Sequence, residues 1–159
     1  VKKHHYPSNA TLGKIFEADA RHLSSIIDAD SIDYVFTSPP YFDCLDYTAY
    51  YSKIVYEIIG SNRLAIKSRL IQSYKEYEDD MRIVLSELYK ICRTGAKVIF
   101  VVGDKKIHNK VINGAEFFNE ISPFKKIDVI ERRYTGSSSK VFDSINQTDR
   151  KEQIIVWEK

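Results

Sequence analysis

The five residues 37–41, Thr-Ser-Pro-Pro-Tyr, constrain the fold most, because they place two prolines directly after an apolar, β-branched run. That run, 31–36, predicts a buried strand. The prolines must end the strand, since proline lacks a backbone N–H and its ring fixes φ. Pro39 also favours an extended backbone at Ser38. The chain is therefore predicted to leave a sheet through a stiff turn, called the elbow here (residues 38–41).

The wider sequence predicts strands that alternate with helices, which is typical of an α/β fold. We expect further strands at 12–18, 96–102, 127–134 and 153–157, the last two as a hairpin-like pair. We expect helices at 19–27, 48–59 and 113–121, and either one helix or a kinked pair at 62–92. A length of 159 residues predicts a single domain. Within it, 1–11 is expected to be a frayed tail and 135–151 a mobile loop.

The predicted position of the elbow suggests a binding site. Open α/β sheets bind ligands beyond the carboxyl ends of their strands, and the elbow follows such an end. A pocket is therefore expected beside it. The alternative is a strand that ends in an ordinary proline-containing loop.

The segment 37–41 resembles the catalytic motif of the amino-methyltransferases, which methylate exocyclic amines of nucleic-acid bases. The form with serine before Pro-Pro-Tyr is most associated with cytosine N4 in DNA. The similarity extends to 16–23, 96–104 and 152–159. It implies a Rossmann-like methyltransferase fold, S-adenosyl-L-methionine as the cofactor and DNA as the partner. Adenine N6 or an RNA base is the alternative methyl acceptor.

The resemblance gives catalytic roles to Ser38, Pro39, Pro40 and Tyr41. An exocyclic amine is a poor nucleophile because its lone pair is delocalised into the ring. Ser38 Oγ and the Pro39 carbonyl would both accept hydrogen bonds from the amine, which frees the lone pair, while Tyr41 stacks on the base. The prolines keep the carbonyl aimed at the amine. The base must be flipped out of a duplex or be single-stranded.

The same resemblance assigns Asp19, Ala20 and Thr37 to the cofactor site. For Asp19 a second interpretation is equally consistent with the sequence, because an aspartate at this position can cap the helix that follows.

Four further residues are assigned to substrate or DNA binding. Asp43 follows the elbow, in a stretch that suits a pocket wall. Lys105, Lys106 and Lys110 form a short basic loop that would contact phosphates if DNA approaches the elbow. A solvated loop is the alternative.

The composition constrains the possible partners, metal sites and location less strongly than the motif does. A net charge of +2 permits nucleic-acid binding without arguing for it. Two cysteines form neither a disulfide framework nor a metal spacing, so no metal site is expected and a reducing, cytoplasmic location is predicted. No apolar run is long enough to cross a membrane, so no membrane partner is expected.

The Gly-x-Gly turn that methyltransferases of this fold carry near their cofactor is absent, since no two of the six glycines are two residues apart. The chain therefore resembles strands 3 to 7 of a seven-stranded sheet. A flanking segment or a second chain would supply the cofactor-binding half, and the shortened sheet would leave apolar edges and faces exposed, which predicts an association site. A non-catalytic module for nucleic-acid binding or subunit interaction is the alternative function.

Overall fold

The computed structural model describes residues 13–40, 47–50, 52–71, 76–107, 110–134 and 150–159. The helices are a 3₁₀ helix η1 (Ala20–Ser25), α1 (Tyr47–Tyr50), α2 (Lys53–Ile58), α3 (Arg63–Lys67), α4 (Tyr77–Ile91) and α5 (Gly114–Ile121). The strands are β1 (Ile32–Thr37), β2 (Cys92–Gly103), β3 (Lys105–Ile107), β4 (Lys110–Ile112), β5 (Lys125–Tyr134) and β6 (Arg150–Glu158).

The main sheet is mixed and has four strands in the order β1-β2-β6-β5. Strands β1 and β2 are parallel, with Thr37 opposite Phe100 at the end of their pairing. Strand β6 runs antiparallel to both β2 and β5. Strands β3 and β4 form a separate antiparallel hairpin. Within the described part of the chain, β1 pairs only with β2, so it is an edge strand.

The core lies between helix α4 and the middle of the sheet. Met81, Leu85 and Leu88 lie on one face of α4, at the spacing that places helical side chains above one another. They are buried in the same cluster as Phe100 of β2 and Trp157 of β6, whose rings meet edge-on at 5.1 Å. Each buried side chain of this size contributes about 1.5–3 kcal/mol, so the α4 face holds the helix on the sheet.

Local signals explain where several helices begin and end. Asn62 caps α3 and Asn113 caps α5, each accepting a hydrogen bond from a backbone N–H three residues later. Gly60 follows α2 with φ +66°, a conformation that glycine adopts without strain. The two asparagines therefore mark where α3 and α5 begin, and the glycine marks where α2 ends.

The predicted α/β organisation is confirmed by the strands β1, β2, β5 and β6 and by helices α4 and α5. The predicted helix at 48–59 is divided between α1 and α2. The segment 62–92, predicted as one helix or a kinked pair, has α3 at its start and α4 at its end. The tail 1–11 and residues 135–149 of the predicted mobile loop lie outside the described residues.

Four expectations are wrong. Residues 13–18 form no strand, because nothing in the described sheet pairs with them. Strand β1 is not buried, since Tyr34 is 74% exposed and Phe36 73% exposed on its uncovered face. The basic segment after β2 is the β3–β4 hairpin rather than a loop. Residues 150–151 belong to strand β6 rather than to a mobile loop.

The uncovered face of β1 agrees with the exposed apolar faces that the sequence predicts for a shortened sheet. Ile15 and Phe16 are also exposed, at 98% and 55%. Among the described helices, none combines the length and the apolar character needed to span a membrane.

Candidate active site

The elbow leaves the sheet at the carboxyl end of β1 and is held there by the neighbouring strand. Ser38 is exposed, and its Oγ donates a hydrogen bond to the Val101 carbonyl oxygen of β2 at 3.1 Å. Pro39, the next residue, is buried. The start of the elbow is thereby fixed to the sheet edge by one side-chain contact and by the packing of one proline ring.

A second contact fixes the elbow further along. The hydroxyl of Tyr77, the first residue of α4, donates a hydrogen bond to the Pro40 carbonyl oxygen at 2.6 Å. Tyr77 is only 1% exposed. A buried helix residue therefore holds the second proline, and the elbow is bonded to both the sheet and the helix layer.

Asp19 lies at the start of η1 and caps it, as one of the two sequence interpretations predicts. Its carboxylate accepts hydrogen bonds from the backbone N–H of Arg21 at 2.9 Å and from the Arg21 guanidinium at 2.6–3.2 Å. These bonds from Arg21 lower the pKa of Asp19 to about 2 and raise the pKa of Arg21 above its ordinary value. Asp19 is therefore ionised at neutral pH.

Arg21 connects Asp19 to two more parts of the chain. Its guanidinium donates to Asp80 Oδ1 of α4 at 2.9 Å and to the Arg69 carbonyl oxygen at 3.0 Å. The planar fork of arginine suits such multiple contacts. Arg21 therefore fixes the distance between η1 and the segment that follows α3.

An open cleft of about 500 Å³ lies between these parts of the chain. It is lined by Glu17, Ala18, Asp19, Ala20, Pro40, Ile66, Arg69, Leu70 and Ile71. The structure thus brings the neighbouring residues Asp19 and Ala20 together with Pro40, which lies 20 positions after Ala20 in the sequence. Aliphatic side chains on one wall and carboxylates on the other suit a flat ligand with polar hydrogens at its edge.

Other predicted site residues lie elsewhere. Thr37 is the half-buried last residue of β1, and of the residues described, neither Thr37 nor Ser38 lines the cleft. Tyr41 and Asp43 lie outside the described residues. No group of three or more histidine, cysteine, aspartate or glutamate side chains forms a metal site in the described part.

The predicted DNA-contacting lysines lie on the hairpin that begins at the carboxyl end of β2. Lys105 and Lys106 lie on β3, and Lys110 on β4, opposite Ile107. The backbone of these lysines is described, whereas their side chains are not. Because β1 and β2 are parallel, the hairpin leaves the sheet at the same end as the elbow.

Sequence reasoning missed Arg21 and the second cleft wall, at Ile66 and residues 69–71. The segment after α3 has charged and apolar residues in a pattern typical of a solvated helix face, so its sequence did not indicate a binding wall. Arg21 could have been found, because an arginine two residues after a capping aspartate can bond to its carboxylate.

The comparisons with known proteins found likeness in solved structures alone: no family model and no curated protein matches the chain. The structure resembles three crystal structures of TTHA0409 from Thermus thermophilus, named as a candidate DNA modification methylase. The selenomethionine form has 20% identity and a TM-score of 0.52, and the native form 18% and 0.51. The form complexed with S-adenosyl-L-methionine has 17% and 0.52.

These alignments cover 89% of this chain but only 52–53% of TTHA0409. The chain therefore spans about half the length of the structures it matches. At this identity the likeness concerns the fold alone: the chain shares its mixed α/β fold with TTHA0409, which confirms the predicted α/β class.

Proposed function

We propose that this chain is the catalytic part of an S-adenosylmethionine-dependent DNA methyltransferase that acts on the exocyclic N4 amine of cytosine. The observation that carries the proposal is the elbow, with its Ser-Pro-Pro-Tyr sequence, at the end of a parallel strand and beside a cleft. The methyltransferase-type fold supports it. The target base is the part of the proposal that depends on the elbow sequence alone.

The hydrogen bond of Ser38 supports its role as an acceptor. A hydroxyl has one hydrogen to donate and two lone pairs that accept. Because the Ser38 hydrogen points to the Val101 carbonyl, the lone pairs of Oγ are directed away from β2. Ser38 can therefore accept a hydrogen bond from an amine that enters beside the elbow.

The prolines supply the second acceptor. The Pro39 carbonyl lies between two fixed points, the Ser38 contact and the Pro40 contact, so it is aimed before substrate arrives. Two acceptors on the same amine favour a tetrahedral nitrogen with a free lone pair. Tyr41 stacks on the flipped base. When bound, the cofactor supplies the methyl group, and the enzyme forms no covalent bond to the base.

The cleft would hold the adenosine part of S-adenosyl-L-methionine. The aliphatic wall at Ile66, Leu70 and Ile71 suits the adenine ring, and the ionised Asp19 suits hydrogens of the ring amine or the ribose. Ala20 lines the same cleft. Thr37 is assigned to the cofactor through its position directly before the elbow.

DNA would approach the sheet end that carries the elbow and the β3–β4 hairpin. Lys105, Lys106 and Lys110 are proposed to contact phosphates, which position the duplex without reading its sequence. Asp43 is proposed to contact the substrate. A role in restriction-modification and a cytoplasmic location stay predictions.

The remainder of the cofactor site is proposed to come from a flanking segment or a second chain. The exposed face of β1 supports this, because an element packed on that face would cover Tyr34 and Phe36, and a strand added at the free edge would pair with the backbone of β1. The chain itself is proposed to be one catalytic-region domain. Titration calorimetry with S-adenosyl-L-methionine should detect no binding by the isolated chain and clear binding once the missing half is present.

The decisive experiment measures methyl transfer to DNA by the chain together with its natural flanking sequence or partner. Ser38→Ala should lower kcat about 100-fold, in the range found when one preorganised hydrogen-bonding group is removed. Ser31→Ala is the matched control, because Ser31 precedes the same strand at its other end and bonds to the Asp28 carbonyl. Unchanged activity in Ser38→Ala would remove Ser38 from the mechanism.

Analysis of the methylated nucleosides identifies the acceptor. N4-methylcytosine is expected, whereas N6-methyladenine or a modified RNA base would correct the target. The second candidate function is a non-catalytic binding module, favoured by the missing glycine turn. It predicts DNA binding without methyl transfer, and no cofactor binding even when the partner is present.

A further inference from the structure

Among the described residues, a buried tyrosine of the helix layer bonds to the elbow. Tyr77 Oη lies 2.6 Å from the Pro40 carbonyl oxygen, a short distance for a hydrogen bond between a hydroxyl and a carbonyl. Tyr77 does not line the cleft among the residues described. Its contact with the candidate site therefore goes through the backbone of the elbow.

The position of the Tyr77 ring is fixed by aromatic packing. Its centroid lies 5.9 Å from that of Phe117 and 6.5 Å from that of Phe118, both on α5. Tyr77 also begins α4, whose apolar face is buried against the sheet. A phenol held in this way offers its hydroxyl at a fixed point in space.

The hydrogen bond removes the main freedom that the prolines leave. The ring of Pro40 fixes φ, whereas ψ can still turn the carbonyl and the peptide plane to which it belongs. The bond from Tyr77 fixes the direction of that carbonyl. The described part of the elbow is then held at both ends, at Ser38 by Val101 and at Pro40 by Tyr77.

We propose that Tyr77 is a positioning residue of the active site, which fixes the direction of the Pro40 carbonyl and of the chain that follows it, and thereby holds the Pro39 carbonyl between two anchored residues. The inference rests on the proposed methyltransferase function. Tyr77 touches neither the base nor the cofactor in this role. It keeps the acceptor group within the narrow geometry that the reaction needs.

The test is Tyr77→Phe, which keeps the aromatic packing and removes the hydroxyl. In the chain with its natural flanking sequence or partner, kcat for methyl transfer should fall about 10–100-fold, as expected for a misplaced reacting group. The KM for S-adenosyl-L-methionine should change less than about twofold, because the lost bond goes to the backbone of Pro40, whereas the Asp19 side and the aliphatic side of the cleft keep their contacts. A merely structural role would lower stability and leave kcat of the folded enzyme unchanged.

Tyr89→Phe is the matched control. Tyr89 lies near the other end of α4, with its ring 5.2 Å from Phe124 and under the Lys159 ammonium. The same substitution there should leave both kcat and KM unchanged. If Tyr77→Phe keeps the kcat of the wild type while the wild type methylates DNA, the inference is wrong and the proposed function stands.

A second measurement does not depend on catalysis. In protein labelled with 13C at the proline carbonyls, the infrared difference between wild type and Tyr77→Phe should show one carbonyl band moving to higher frequency. A spectrum without this change overturns the inference. If the wild type transfers no methyl group, the proposed function is wrong. A shifted carbonyl band would in that case show that Tyr77 bonds to the elbow, but the proposed role of Tyr77 in catalysis would also be wrong.

Discussion

Glu87 of α4 bonds to η1, the helix at whose start Asp19 and Ala20 line the cleft. Loss of the Glu87 charge should lower the stability of the protein by a measurable amount. The side chain is only 8% exposed, and one of its oxygens accepts hydrogen bonds from the Ser24 N–H at 2.8 Å and the Ser24 hydroxyl at 2.6 Å. The other accepts from Lys90 Nζ at 2.6 Å. Glu87→Gln removes the charge on which all three contacts depend.

The magnitude follows from the pKa. The bond from Lys90 and the bonds from Ser24 lower the pKa of Glu87 from 4.5 to about 2. A difference of this size corresponds to about 3 kcal/mol of stability. Lys90 is 55% exposed, so solvent screens part of its contribution. We therefore expect Glu87→Gln to lower the free energy of unfolding by about 2 kcal/mol at pH 7.

The sign of the pH dependence is fixed because the pKa is lower in the folded state. The stabilisation is complete above about pH 4.5 and is lost as pH falls from there towards 2. Glutamine does not titrate, so the difference between wild type and variant should shrink over this interval. The Ser24 end of η1 should also loosen, because its two bonds to Glu87 weaken.

Urea unfolding followed by circular dichroism, at pH 7 and at pH 3, measures both effects. Glu78→Gln is the matched control: it lies on the same helix, but its carboxylate is 53% exposed and pairs with Arg82 in solvent. Its effect should stay below about 0.5 kcal/mol. Equal losses in the two variants, or a Glu87→Gln difference that does not change with pH, would refute the reasoning.

Two further predictions concern the cleft wall and the start of α5. Arg21→Lys cannot reproduce the forked contact, so the pKa of Asp19 should rise from about 2 towards 3.8, measured by carboxyl NMR titration; an unchanged pKa would contradict the assigned cause. Gly114→Ala would place a Cβ 2.5 Å from the Gly103 carbonyl oxygen and should cost about 1–3 kcal/mol in thermal unfolding. Gly13→Ala, whose Cβ meets no described atom within 4 Å, is the control and should change stability by less than about 0.5 kcal/mol.

The sequence predicted those parts of the fold that short-range physics determines. Helix α5 begins at Asn113 because the side chain of that residue caps it. Met81 and Leu85 are four residues apart on one apolar stripe, so the buried face of α4 could be read directly. The end of β1 followed from the prolines, which exclude any other outcome.

The wrong expectations concern neighbours that a local pattern does not contain. The run 12–18 has the composition of a strand, but a strand needs a partner, and residues 13–18 have none in the described sheet. Likewise, Tyr34 and Phe36 have the composition of a buried strand, yet their face is uncovered. Burial depends on which other segment packs against the residue, and a local sequence pattern does not identify that segment.

The same distinction explains why the two halves of the candidate site differed in how well they were predicted. The elbow owes its shape to covalent restraint at two prolines, which any reader of the sequence can see. The cleft wall owes its position to Arg21, whose contacts with Asp80 and Arg69 join residues 59 and 48 positions apart. Contacts over such separations arise only once the chain has folded. The sequence therefore predicts the turn at the elbow, whereas the wall of the cleft becomes visible only in three dimensions.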